Sequence, residues 1–352
     1  MADRILLTQL RRIGDVMMTT PAVAAVRAAF PAARIEYLTE APSDQLLRHC
    51  PHVDEVIVWP RKPSWLRQLL LLWRLRRRRY DVVVDFFGNP RSALLTWATG
   101  APRRVGFNRR GRKLVYTDPV DVPDHIVYAA AHKAALVERL GAHIGSVHPQ
   151  LFLGDAERAY ARRQLEALGV GAQDLLVALS PVSRQPYKVW PAQRFARLAD
   201  VLIERYAARV LFIWGPGEEH FVDQVRLEMK HLALPTYPVP PLLELAAMLQ
   251  RCHLYVGNDN GPRHLAVAVN TPTVTVFGKP QPQNWTPPGD PRHRVADYDP
   301  GCKLACTFPH CDHLNCINGV SYEVVETETE RLLEELLRDG RPDRSRPAGT
   351  PA

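Results

Sequence analysis

The stretch RILLTQLRRIGDVMMTTPAVAAVRAAF, residues 4–30, decides the fold class. RILLTQL, residues 4–10, is an apolar run that reads as a buried first strand. TPAVAAVRAAF, residues 20–30, carries apolar residues at helical spacing, with Thr20 as N-cap and Pro21 at the first helical position. Gly14 and Asp15 then lie in the strand-to-helix turn. In an open parallel sheet such turns stand at the carboxyl ends of the strands, where ligands bind, so Gly14 is a candidate ligand contact. Gly14 is all that is present of the Gly-x-Gly-x-x-Gly fingerprint, and a dinucleotide is therefore not the expected guest. A carboxylate at this place repels phosphate, and Asp15 must serve something else.

The alternation continues outward from this stretch. RIEYLTE, VDEVIVW, YDVVVDF and RRVGF read as further strands separated by helical segments, the signature of a parallel sheet with helices on both faces. Residues 125–140 read as a helix stopped by Gly141. DLLVALSP, ARVLFIWGPGEE, CHLYVGNDNGP and TPTVTVFG then give four more strand-to-loop junctions. With 352 residues, too many for one ordinary core, the expectation is an α/β protein of two Rossmann-like doubly wound domains, residues 1–165 and 166–338, facing each other across a cleft. The Pro- and Arg-rich tail, residues 339–352, has almost nothing to bury and reads as disordered.

Composition narrows the function. The chain is 46% hydrophobic and 23% charged, and its 45 Lys and Arg against 37 Asp and Glu leave a net charge of +8. Much of the arginine falls before residue 115, which points to an anionic ligand or surface; the excess is too small to argue for nucleic acid. MADRILLTQL lacks the pattern of a secretory signal, and the longest apolar run, LLLLW, is far short of a membrane span, so a cytoplasmic location is expected.

The second half supplies phosphate chemistry. In YVGNDNGPRHLAVAVNTPTVTVFG a strand ends at Gly257, and Gly261 and Pro262 open a helix. Amides around Asn260 and Gly261, at the positive end of that helix, form a ready pyrophosphate site flanked by Asp259 and His264. A second reading stays open, in which Asp259 caps the helix and His264 is packed inside. In SPVSRQPYKVWP, Ser183 and Lys188 are candidates to hold phosphate oxygens, and in IWGPGEE, Glu218 is a candidate partner for ribose hydroxyls. The triplet Asp297, Tyr298 and Asp299 resembles a metal-binding DxD but falls in a Pro-rich loop after the last expected strand, and reads as incidental.

Two further features stand apart from this chemistry. Cys302, Cys306, Cys311 and Cys316, with His310 and His313 among them, suit a structural tetrahedral zinc site, the alternative being reduced packing thiols or disulfides. PSWLRQLLLLWRLRRRRYD, residues 63–81, sets Leu66, Leu69, Leu70 and Trp73 at helical spacing among arginines. The expectation is that its apolar side packs on the first sheet while the arginine run faces anionic headgroups or phosphates.

RRIGDVMMTTPAV, KVWP, WGPGEE and GNDNGPRHLAVAVNTPTVTVFG, in this order and spacing, resemble glycosyltransferase family 9, the ADP-heptose:lipopolysaccharide heptosyltransferases, over most of residues 4–325. The resemblance implies the GT-B fold, with the acceptor mainly on the first domain and the nucleotide sugar on the second. It implies an inverting, metal-independent transfer of heptose from ADP-heptose to a lipopolysaccharide inner-core or related glycan, with no catalytic cofactor. Asp15 becomes the candidate general base. Lys188 and the amides around Asn260 and Gly261 neutralise the leaving ADP, while Asp259 and His264 orient sugar and phosphates. A lipid-linked acceptor implies peripheral contact at the inner face of the inner membrane. Asn260 and Lys279 depart from the residues usual in the family and leave the exact donor open. Transfer from another nucleotide sugar, or binding without catalysis on the same fold, are the competing readings.

Overall fold

The computed structural model describes residues 2–60, 64–109, 114–122, 125, 127–279, 281–302, 311 and 313–338. The expected tail, residues 339–352, lies outside the described residues. The chain divides into two compact units, with the boundary between Phe152 and Leu153 rather than at 165/166.

The first unit contains β1 (Arg4–Thr8), α1 (Ile13–Met17), α2 (Thr20–Ala29), β2 (Arg34–Glu40), β3 (Glu55–Trp59), α3 (Trp65–Arg77), β4 (Val82–Asp85), α4 (Pro90–Ala98), β5 (Arg103–Phe107), β6 (Asp118–Val120) and α5 (Ala129–Glu138). Its sheet runs β3-β2-β1-β4-β5-β6 and is parallel throughout. Helices cover both faces, so central strands such as β1 and β4 are near-continuous apolar runs rather than alternating ones. The strand order reverses direction between β1 and β4, which are in register from Ile5 opposite Val82 to Thr8 opposite Asp85. β6, short and half-buried, escaped the sequence pattern.

The opening stretch differs from its reading in one respect. Gly14 and Asp15 lie in the separate one-turn helix α1, not in an irregular turn, and the preceding Arg11 and Arg12 turn the chain with φ of 64° and 53°. Positive φ costs a non-glycine residue about 1–2 kcal/mol. Thr20 is not the cap of α2: Thr19 precedes the helix, and neither threonine caps it with its side chain. Thr19 Oγ1 donates to Val16 O at 2.7 Å and meets the Tyr37 hydroxyl at 2.6 Å, while Thr20 Oγ1 donates to Met17 O at 2.8 Å. The hydroxyls close the end of α1 instead of opening α2. Gly141, with φ of 82°, does follow α5 as expected, its amide donating to Glu138 O at 2.9 Å.

α3 departs further. The core beside it includes Leu75, Trp59, Tyr80 and Val83, with Leu71 and Leu72 packed against it. Leu66, Leu69, Leu70 and Trp73, expected to pack on the sheet, are all exposed, as is Trp65. The run holds more apolar side chains than one helix face can bury.

The second unit contains α6 (Asp155–Ala167), β7 (Leu176–Ser180), α7 (Ala192–Tyr206), β8 (Arg209–Phe212), α8 (Glu219–Glu228), α9 (Leu242–Arg251), β9 (Leu254–Asn258), α10 (Gly261–Ala268), β10 (Thr273–Phe277), β11 (His293–Asp297), α11 (Asn315–Asn318) and α12 (Tyr322–Arg338). The order β11-β10-β9-β7-β8, again all parallel, reverses between β7 and β9. α6 packs on α9, which is why the boundary falls before it. β11 was not anticipated, because only two residues of HRVAD are buried. Asp297 therefore ends a strand rather than standing in a loop.

A buried ionic cluster anchors the edge of the first sheet. The Glu36 side chain is fully buried and accepts hydrogen bonds from Arg78 Nη1 and the Tyr80 hydroxyl at 2.5 Å, Arg34 Nε at 2.9 Å and Arg4 Nη2 at 3.0 Å. Burial alone would raise its pKa, but the bonds from Tyr80, Arg78 and Arg34 outweigh it and hold the carboxyl below the usual glutamate value. A depressed carboxylate adds stability that is present above the unfolded pKa and lost as pH falls through the folded one. Glu36→Gln is expected to cost about 2–3 kcal/mol at neutral pH, and to flatten the loss of stability below pH ~4.5. Urea unfolding at several pH values checks both.

Candidate functional site

In the second unit the strand-order reversal places the loops after β7 and β9 side by side. Asn260 is the N-cap of α10, and its Oδ1 accepts from Arg263 N at 3.1 Å and from the Tyr255 hydroxyl at 2.9 Å. Its Nδ2 donates to Ser180 Oγ and to Val182 O, both at 2.9 Å. The cap is thus Asn260 and not Asp259, and its side chain is committed to the protein; what remains for a ligand at this position is backbone. Gly257 permits the close strand approach, since a Cβ there would stand 2.7 Å from Ser180 O.

With the cap supplied by Asn260, the Asp259 carboxylate is buried and turns to Lys188 Nζ, with which it forms a hydrogen-bonded ion pair. His264 Nε2 lies 3.8 Å from its other oxygen. Burial pushes the Asp259 pKa up, but Lys188, His264 and Arg263 pull it below the usual aspartate value, so it is ionised. Burial, reinforced by Arg263 and opposed by Asp259, drives the His264 imidazole down to about 3. His264 is therefore neutral at physiological pH, and among the described residues its buried Nδ1 has no hydrogen-bond partner.

Lys188 ends the 3-10 turn Pro186–Lys188, and two contacts fix that turn. Trp190 N donates to Asn258 Oδ1 at 3.2 Å and Trp190 Nε1 donates to Val320 O at 2.8 Å. Gly278 also lies so close that a Cβ on it would come 2.0 Å from Tyr187 O. Ser183 is mostly buried and its Oγ accepts from Gln185 N at 3.3 Å. Glu218 Oε2 accepts from Gly215 N at 2.9 Å, which is the local role its position before α8 suggests, and its Oε1 stands 3.8 Å from Arg184 Nε. Ser183, Arg184, Pro186, Val189 and Glu218 line one open depression of about 600 Å³.

In the first unit Asp15 and Gly14 are half-buried in α1. The structure adds a neighbour that sequence reasoning missed. Lys133 of α5 is buried, donating to Gln9 Oε1 at 2.7 Å and to Phe86 O at 3.3 Å, just past the ends of β1 and β4 where that sheet reverses. Burial pulls its pKa down to about 8, with Asp15 and Asp85 drawing it up and Arg109 pushing it down. The one sequence signal was a lysine inside the apolar run AAAHKAALV. Arg263 was also passed over: it is fully buried and donates to Trp285 O at 2.6 Å and Thr286 Oγ1 at 3.0 Å, tying α10 to the loop after β10.

Of the cysteine-rich segment, Cys302 and Cys311 are half-buried and Cys316 is buried, with Cys311 Sγ 3.7 Å from His313 Nε2. Cys306 and His310 lie outside the described residues.

Two doubly wound parallel sheets, the second presenting an ion pair of buried Asp259 with half-buried Lys188 beside a helix N-terminus at its carboxyl edge, make an α/β architecture of the GT-B class. The model of glycosyltransferase family 9 (heptosyltransferase) matches residues 69–304. Lipopolysaccharide heptosyltransferase 3 of Escherichia coli K12 is 26% identical over 79% of this chain and 83% of its own length. Lipopolysaccharide heptosyltransferase 2 of the same strain is 25% identical over 92% and 94%. The crystal structure of a family 9 glycosyl transferase from Veillonella parvula superimposes with a TM-score of 0.83 at 26% identity, covering 95% of this chain and 97% of that one. The chain belongs to glycosyltransferase family 9 and is a glycosyltransferase.

Asn260→Ala removes the cap of α10 and the bonds that Asn260 makes to Ser180, Val182 and Tyr255. It is expected to cost about 2–3 kcal/mol in urea unfolding, and Asn260→Asp, which keeps the acceptor but not the donor, should cost less than Asn260→Ala.

Proposed function

We propose that the protein moves heptose from ADP-heptose to a lipopolysaccharide inner-core or related glycan acceptor, with inversion at the anomeric carbon. The observation that carries the reading is the Lys188–Asp259–His264 cluster at the N-terminus of α10, within a chain of this family. Bound diphosphate would lie against the positive helix end and the Lys188 ammonium, while Ser183 and Glu218 serve phosphate and ribose in the adjoining depression. Asp259 keeps Lys188 in place, and neutral His264 offers a ring nitrogen to the donor.

The step balances as a single displacement. The acceptor oxygen forms its bond to the anomeric carbon as the bond from that carbon to the diphosphate oxygen breaks. The hydroxyl proton passes to the Asp15 carboxylate, and the electron pair leaves with ADP. Preorganised cationic and backbone donors stabilise that departing charge without reorganising. Asp15 belongs to the first unit and the donor residues to the second, which matches a division of labour between acceptor and donor. Lys133 gives Asp15 a cationic neighbour that favours its ionised, proton-accepting form.

A lipid-linked acceptor would bring the enzyme into peripheral contact with an anionic membrane surface on the cytoplasmic side. Cys302, Cys306, Cys311 and Cys316 are assigned to a structural zinc on their thiol spacing alone; metal analysis of purified protein that finds no zinc would remove that assignment.

The test is a thermal-shift series followed by turnover. ADP and ADP-heptose are expected to stabilise the protein more than UDP or UDP-sugars, and a preference for UDP would overturn the donor assignment. Asp15→Asn should keep the ADP shift while transfer falls about 10²–10⁴-fold; near-normal turnover would remove Asp15 as base. Lys133→Met should move the acid limb of the pH–rate profile to higher pH, because Asp15 loses the cation that favours its charged form.

A further inference from the structure

α3 carries two apolar faces where a surface helix ordinarily carries one. At ~100° per residue, the inward set Leu71, Leu72 and Leu75 and the outward set Trp65, Leu66, Leu69, Leu70 and Trp73 are centred roughly 150° apart. The outward side chains are 67%, 54%, 54%, 55% and 52% exposed. α4, which packs beside α3, adds the exposed Leu94 and Trp97. Apolar area of this extent on one surface is uncommon unless something covers it.

Charge indicates what covers it. α3 contains no acidic residue, while Arg67, Arg74, Arg76 and Arg77 lie along it and Arg79 follows, all exposed. Arg78 is the exception, drawn inward to Glu36 and Glu55. Arg77 holds its guanidinium 4.0 Å above the Trp73 ring, so a cation sits directly on the apolar stripe. A second copy of the chain would bring the same arginines against each other, and the partner must therefore be both apolar and anionic. At thirteen residues α3 is too short to span a bilayer, and no described helix is long and apolar enough to cross one. A helix with tryptophan and leucine on one side and arginine at its borders suits the plane of the headgroup boundary.

We infer that α3, with Leu94 and Trp97 of α4, is a docking surface for an anionic lipid bilayer, lying in its interface with Trp65, Leu66, Leu69, Leu70 and Trp73 inserted and the arginines against the headgroups. The inference deepens the membrane contact in the reading above and supplies its element. It stands on the surface itself, and its test contains neither donor nor acceptor. Failure here would leave glycosyl transfer standing, and loss of transfer would leave this surface standing.

The full-length protein is mixed with vesicles of phosphatidylcholine alone, or with about one third phosphatidylglycerol, and sedimented. Binding is expected to the anionic vesicles, with a blue shift of tryptophan fluorescence, and to weaken when salt shortens the electrostatic reach. L69E/W73E should lose about tenfold or more in vesicle affinity, and R74Q/R77Q should lose most of the preference for anionic lipid. L66S/L70S, a milder change on the same stripe, should show the same loss with an unchanged unfolding midpoint, which separates docking from folding. Three outcomes overturn the inference: no binding to anionic vesicles, wild-type binding by both stripe variants, or self-association in sedimentation velocity that the stripe variants abolish.

Discussion

The second unit depends on the single amide side chain of Asn260. Parallel strands that part at a reversal of order leave a gap between their following loops, and something must set its width. Here one Asn oxygen accepts from the first turn of α10 and from Tyr255, and its nitrogen donates to Ser180 and Val182 after β7. A hydroxyl in the same place could cap the helix but could not make all of these bonds. The capping duty thereby passes away from Asp259, whose carboxylate is left for Lys188.

That transfer of duty determines the electrostatics. An aspartate taken this far out of water stays ionised only because a lysine and a buried arginine accompany it, and the same surroundings keep His264 neutral. The result is a lysine held in an ion pair and a neutral ring, both beside a helix N-terminus. Gly257 and Gly278 matter for the same reason: each allows a neighbouring backbone to approach where any side chain would collide.

The first unit solves a different problem. Its sheet reverses between β1 and β4, and there a buried lysine, not a glycine-rich turn, occupies the position next to the strand ends. On β2, Glu36 gathers three arginines and a tyrosine, one of the arginines being Arg78 directly after α3. With that anchor and the inward leucines in place, the helix has no need of its remaining apolar side chains for folding. Their exposure is a property of the surface, available for a partner.

The sequence by itself determined the α/β class, nine of the eleven strands among the described residues and the motif blocks that carry Asp15, Ser183, Lys188, Glu218, Asp259, Asn260, Gly261 and His264, because parallel-sheet strands are short apolar runs with local boundaries. β6 and β11 were missed because half-buried edge strands carry little of that signal. Only the tertiary structure decided that Asn260 rather than Asp259 caps α10, that Thr20 closes one helix instead of opening another, that Lys133 and Arg263 are buried, and that Leu66, Leu69 and Leu70 of α3 face outward while Leu71, Leu72 and Leu75 face inward. The Thr20 bond to Met17 O is local, but the burial of Lys133 and the fixing of Asn260 depend on partners distant in the chain: Lys133 meets Gln9 across 124 positions and Asn260 meets Ser180 across 80. Local periodicity states which side chains could be buried together, whereas the number of places available in the core is a property of the folded packing.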